Sequence, residues 1–128
     1  MIESEFDAAE AYARAWNRLD CTEFVELLAP DASYASQWVF EELEGKEAIE
    51  KYLTNKIKAV KEGKDPIFAE LTTATESYPG KDCVAMAQGD KQVVAAVVIF
   101  EVNDSRIKRI DMCMPNLFNL KRSGNYPR

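Results

Sequence analysis

The sequence predicts an α+β fold in which three N-terminal helices pack on a curved, mostly antiparallel sheet and leave a cone-shaped cavity between them. Two patterns predict it. Apolar residues recur at helical spacing in three stretches before residue 62, whereas residues 67–114 alternate with period two between turn signals. A third observation adds the layering: residues 93–100 are apolar on both strand faces, as is typical of strands covered on both sides.

Each element has a local reason. Helix one spans about residues 4–19, with Ser4 as N-cap and Glu5 and Asp7 in the first turn, where the helix dipole favours anions. Phe6, Ala9, Tyr12, Ala13 and Trp16 mark its buried side, and Glu10 and Arg14 form a favourable i,i+4 pair on the other. Helix two spans about residues 22–28 and is expected to end before Pro30, since a proline disfavours helical geometry in the residue preceding it. Residues 33–40 alternate as a strand, with Tyr34, Ser36 and Trp38 on one side. Glu41, Glu42 and Glu44 form an acidic turn before Gly45. Helix three spans residues 46–61, with Ile49, Tyr52, Leu53, Ile57 and Val60 as its apolar stripe and Gly63 and Pro66 beyond its end.

Strands follow over residues 68–78, 83–88, 92–102 and 106–114, separated by Pro79-Gly80, Gly89-Asp90 and Asn103-Asp104-Ser105. Pro115 is expected to end the sheet, leaving residues 116–128 as a tail. In the long third strand Val94, Ala96, Val98 and Phe100 are assigned to the helix side, and Val93, Ala95, Val97 and Ile99 to the other. That second face needs a cover. A homodimer through the sheet provides one; the tail, with Leu117, Phe118 and Leu120, provides another.

Composition narrows the function. The 128 residues fit one domain. A net charge of −6 speaks against nucleic acid or an anionic membrane surface as partner. The acidic start, Met1-Ile2-Glu3-Ser4-Glu5, is unlike a signal peptide, and no apolar run approaches the ~20 residues of a membrane span. Cys21, Cys83 and Cys113 form no C-x-x-C pair and read as reduced thiols of a cytoplasmic protein. The chain has no histidine, which excludes Ser-His-Asp and Cys-His relays and His-ligated metals. No metal and no cofactor are expected. Acid–base chemistry near neutral pH is left to a shifted carboxylate, Tyr, Lys or Cys.

Three segments carry a resemblance. They are Ala8-x-x-Ala11-Tyr12-x-x-Ala15-Trp16-Asn17-x-x-Asp20, then Leu27-Leu28-Ala29-Pro30-Asp31-Ala32-Ser33-Tyr34, then Gly45-Lys46-x-Ala48-Ile49-x-x-Tyr52-Leu53. Together with the β-rich second half, they make the chain resemble the NTF2-like (cystatin-like) superfamily, in particular its SnoaL-like and ketosteroid-isomerase-like branches. The resemblance covers nearly the whole chain, residues 1–128, and implies a pocket inside the cone. It also implies that Tyr12 stands where ketosteroid isomerases place a tyrosine that donates to a developing oxyanion. The aspartate base of those enzymes corresponds to Ser36 here, and their second acid to Val98, so that mechanism is not expected. Limonene-epoxide-hydrolase and polyketide-cyclase relatives use carboxylates with an arginine on inner strands. The comparable pair here is Arg109 and Asp111, which share one strand face.

The expected pocket lining is Tyr12, Trp16, Tyr34, Ser36, Trp38, Tyr52, Met86, Met112 and Met114, which suits a small apolar ligand. The same aromatic and Met spacings also describe a plain core. Asp111 is either a catalytic base or a structural partner of Arg109, depending on strand register. Three functions stay open: a small-molecule binder; a cofactor-free isomerase, cyclase, lyase or hydrolase with Tyr12 as donor and Asp111, Glu70 or Glu76 as base; and a dimeric association module with a filled pocket.

Overall fold

The computed structural model describes residues 2–37, 41–76, 79–115 and 119–128. Helix α1 (Glu5–Arg18) starts in a capping box: the Ser4 hydroxyl accepts from the Asp7 amide, and the Asp7 carboxylate accepts from the Ser4 amide. It ends at Leu19, which takes a left-handed conformation with φ 59°. Helix α2 (Thr22–Glu26) is a single short turn and a half, launched where Asp20 accepts from both the amide and the hydroxyl of Thr22. Helix α3 (Lys46–Glu62) is entered through Gly45 at φ 96°, a backbone angle that disfavours any side chain.

The strands are β1 (Leu28–Ser36), β2 (Leu43–Glu44), β3 (Ile67–Ala74), β4 (Asp82–Gln88), β5 (Val94–Asn103), β6 (Arg106–Cys113) and β7 (Leu120–Asn125). Among the described residues they form one sheet of order β2-β1-β6-β5-β4-β3-β7. The pairing is antiparallel throughout except between β1 and β6, which run parallel. Register shifts interrupt four of these ladders, and such bulges bend a sheet and increase its twist.

The sheet has two differently filled faces. The helices cover the inner face, where Tyr12, Phe24, Leu28, Tyr34, Ile49 and Phe100 belong to the main core. Tyr12 meets Phe24 and Phe100 edge-on, with ring centroids 5.0 and 5.3 Å apart. The outer face holds a second cluster, Ala74, Cys83, Val97, Ile99 and Cys113, against which Val94 and Leu120 pack. No helix among the described residues is long and apolar enough to cross a membrane.

Several expectations need correction. Pro30 does not end α2; the helix stops at Glu26, and Pro30 lies inside β1, which starts at Leu28. Val94 packs on the outer face, not the inner one. The register pairs Met86 with Ala96 but Ala87 with Val94, so Ala95 is an extra residue that reverses the alternation before it. Pro115 does not end the sheet, because β7 pairs with β3 further along the chain. Phe6 is 43% exposed at the open end of α1, despite its helical phase. The outer face is covered to a large degree within one chain: Val97 is 0% and Ile99 7% exposed. Leu120 of the tail supplies part of that cover; Leu117 and Phe118 lie outside the described residues.

Candidate functional site

Between the helices and the inner sheet face lies a cavity of about 200 Å³. Trp16 of α1, Tyr52 of α3, Tyr34 of β1, Met86 of β4 and Met112 of β6 form its apolar walls. The space exists because the sheet is short of volume there: the wall residues contributed by β5 are Ala95 and Ala96, with Ala87 beside them on β4. Ala96 is the register partner of Met86, and Val98 that of Met112, so large and small residues are set side by side across β4, β5 and β6.

Polar groups at this cavity are few. The Tyr34 hydroxyl donates to the Met112 sulfur at 3.5 Å, and its ring leans on Tyr52 with centroids 5.0 Å apart. Burial raises the Tyr34 pKa, with Tyr12 and Tyr52 adding to the shift. At the open side stand Lys56, whose ammonium lies 5.6 Å from the centre of the Tyr52 ring, and Gln88. No carboxylate belongs to the wall among the described residues.

Tyr12 sits deeper. It is fully buried, and its hydroxyl has no hydrogen-bond partner among the described residues. Burial is the main reason its pKa is raised; the nearby Trp16 side chain, which falls short of hydrogen-bond geometry, works against the shift, and Tyr52 adds to it, so the phenol stays protonated. Nearly all buried polar groups find a partner, so this hydroxyl is an exception; Tyr12 is not itself part of the cavity wall.

The remaining sequence candidates fall elsewhere. Ser36 follows Tyr34 along the same face of β1, opposite Met112 in register, but is not part of the cavity wall. Met114 lies beyond the end of β6 and is 39% exposed. Trp38 lies outside the described residues. Asp111 shares its strand face with Cys113 and is paired with Ile99, both in the outer cluster, so it points away from the cavity. There it accepts from the Arg109 guanidinium at 3.1 and 3.2 Å. Arg109 also donates to Glu42 at 2.7 Å and to Ser33 at 3.2 Å. That arginine holds the Glu42 carboxyl below its ordinary range. Glu70 is buried on the outer face against Arg122 and the Gly124 amide, and Glu76 accepts from Asn119. The structure therefore gathers Trp16, Tyr34, Tyr52, Met86 and Met112 at one cavity with Tyr12 behind them, and separates Asp111 from all of them. No group of three or more His, Cys, Asp or Glu side chains gathers as a metal site among the described residues.

Sequence reasoning missed Lys56, Ile67, Gln88 and the alanines of the wall. An exposed lysine on a helix carries no local mark of a pocket, and small residues signal a cavity only once their neighbours across the sheet are known.

A cone of three helices on a bent, mostly antiparallel sheet with its cavity inside defines an NTF2-like, or cystatin-like, protein. The SnoaL-like domain matches residues 9–110, and the chain belongs to that family. Solved structures agree on the fold. A cystatin-fold protein from Novosphingobium aromaticivorans is 18% identical over 86% of this chain and 97% of its own, with a TM-score of 0.58. A steroid delta-isomerase from Pseudomonas aeruginosa is 16% identical over 88% of this chain and 80% of its own, with a TM-score of 0.56. An LEH-like epoxide hydrolase from M. tuberculosis is 16% identical over 88% and 84%, with a TM-score of 0.57. No curated protein matches the chain.

Proposed function

We propose that this protein binds a small, mainly apolar molecule of one or two rings in the cavity between Trp16, Tyr34, Tyr52, Met86 and Met112. The observation that carries the reading is an aromatic and thioether wall around about 200 Å³ of space, with no carboxylate in it among the described residues. An apolar cavity of ~150 Å³ already accommodates benzene, so this one has room for slightly more. Aromatic faces and polarizable sulfurs favour flat apolar guests. The test is a titration with 1-naphthylmethanol followed by tryptophan fluorescence. Saturable binding is expected, and Ala96→Leu, which fills the cavity from the sheet side, abolishes it. No saturation with the unmodified protein, or equal binding by Ala96→Leu, overturns the reading.

A second reading rests on Tyr12. A protonated hydroxyl without a protein partner can donate to an oxygen that gains charge during a reaction. With Asp111 on the far face, such catalysis would use the Tyr12 donor and water or the substrate's own groups. Styrene oxide is a probe of fitting size. Hydrolysis above background that Tyr12→Phe removes supports this reading, and no hydrolysis by the unmodified protein contradicts it.

Assembly and location belong to the same proposal. A homodimer through the sheet would use the outer face, but one chain already buries Val97 and Ile99, so the fold does not need a second copy to cover them. A monomeric mass in native mass spectrometry removes the dimer from the account. The buried free thiols Cys21, Cys83 and Cys113 suit a reducing, cytoplasmic setting.

A further inference from the structure

We infer that the preferred occupant of this cavity is an aromatic carboxylic acid, held with its rings inside and its carboxylate at Lys56; this rests on the small-molecule reading above. Lys56 lies on the cavity wall, exposed, and makes no ion pair among the described residues. Its helical neighbours cannot supply one, because the residues three and four positions away are Leu53, Tyr52, Ala59 and Val60. Five cations are engaged in ion pairs, Arg14, Lys81, Lys108, Arg109 and Arg122; of those that are not, Lys56 is the one on the cavity wall among the described residues.

The surroundings point the same way. A shallow groove continues outward from the cavity, sharing Trp16, Lys56, Ile67 and Gln88 with it. Lys64 and Asp65 are the further charged residues along that groove. The groove is thus lined by two lysines and one carboxylate, and the cavity wall by Lys56 and no carboxylate among the described residues. This local excess of positive charge stands on a chain whose net charge is −6. The Gln88 amide, on the wall of both cavity and groove, offers two further N–H donors to an oxyanion. The Tyr52 ring beneath Lys56 keeps the ammonium over the opening, since a cation is attracted to an aromatic face. An uncharged hydrocarbon would use the walls and leave these donors to water; a carboxylate one bond beyond an aromatic ring would use both.

The experiment compares 1-naphthoate with 1-naphthylmethanol, which differ in charge and little in shape. Binding to the unmodified protein and to Lys56→Gln is measured by calorimetry at low salt. The expected result is that naphthoate binds the unmodified protein about threefold to fivefold more tightly than the alcohol, the upper part of the range open to a solvent-exposed ion pair. In Lys56→Gln that preference disappears, read as the ratio of the two affinities within the same variant. Equal affinities in the unmodified protein, or a preference that survives Lys56→Gln, overturn the inference and leave the small-molecule reading standing. Binding of neither ligand overturns that reading and this inference with it.

Discussion

Tyr12 is the residue at which folding and function pull apart. A buried hydroxyl without a partner costs about 1–3 kcal/mol of stability. Tyr12→Phe keeps the ring contacts with Phe24 and Phe100 and removes that hydroxyl, so it is expected to raise stability by about 1 kcal/mol in chemical denaturation. A loss of stability would mean the hydroxyl has a partner in solution. Tyr12 and Tyr34 share a second expectation. Burial raises both pKa values above the ordinary 10.0, so the folded state holds the neutral phenols. The stability this contributes is intact below about pH 10 and is lost as the pH climbs past it. In an alkaline absorbance titration these two of the five tyrosines should ionise only as the chain unfolds. Ionisation of all five before any loss of helical signal would contradict the burial. Tyr12 and Trp16 were legible in the sequence because helical spacing put them on one face. Lys56 was not, since an exposed lysine looks the same beside a pocket as beside bulk water.

Among the elements, β7 shows how a strand without hydrophobic alternation is held. Its residues, Leu120 to Asn125, are mostly polar and exposed, and nothing in their pattern announces a strand. Glu70 supplies the reason: its buried carboxylate receives the Arg122 guanidinium and the Gly124 amide from β7. Arg122→Met should leave that carboxylate short of its charged partner and cost about 2 kcal/mol. This is less than the ~3–5 kcal/mol of a fully buried pair, because water reaches the arginine. Hydrogen exchange over residues 120–125 should then speed up while α1 and β5 are unaffected; unchanged exchange would show that pairing with β3 alone holds the strand. Asn17 closes the same edge from the helix side. Its side chain donates to the Ala69 and Pro127 carbonyls and accepts from the Ala69 amide, as a neighbouring strand would. Asn17 and Asp20 belong to the first of the three segments that carry the family resemblance, and the structure gives each a local bonding task. Two other elements were misread at the backbone. The extra residue at Ala95 turned Val94 outward, and Pro30 proved to belong to a strand and not to a helix stop.

At the scale of the whole molecule, the helix-then-sheet order and the two-sided hydrophobicity of β5 were enough to place the layers, and the family resemblance added the cone and its pocket. They were not enough to say what fills either face. The inner face is incompletely filled because alanines sit opposite aromatic and thioether side chains. The outer face is largely filled from within the chain, by the second cluster with Leu120 on it. The central claim is that the inner space receives a ligand. It is tested most directly by methionine-methyl NMR during addition of 1-naphthylmethanol. The chain has four methionines, so each methyl can be followed separately. Ring currents from a guest in the cavity should shift Met86 and Met112 together, saturably, and leave Met114 in place. Shifts confined to Met114, or no saturable change at Met86 and Met112, would contradict the account.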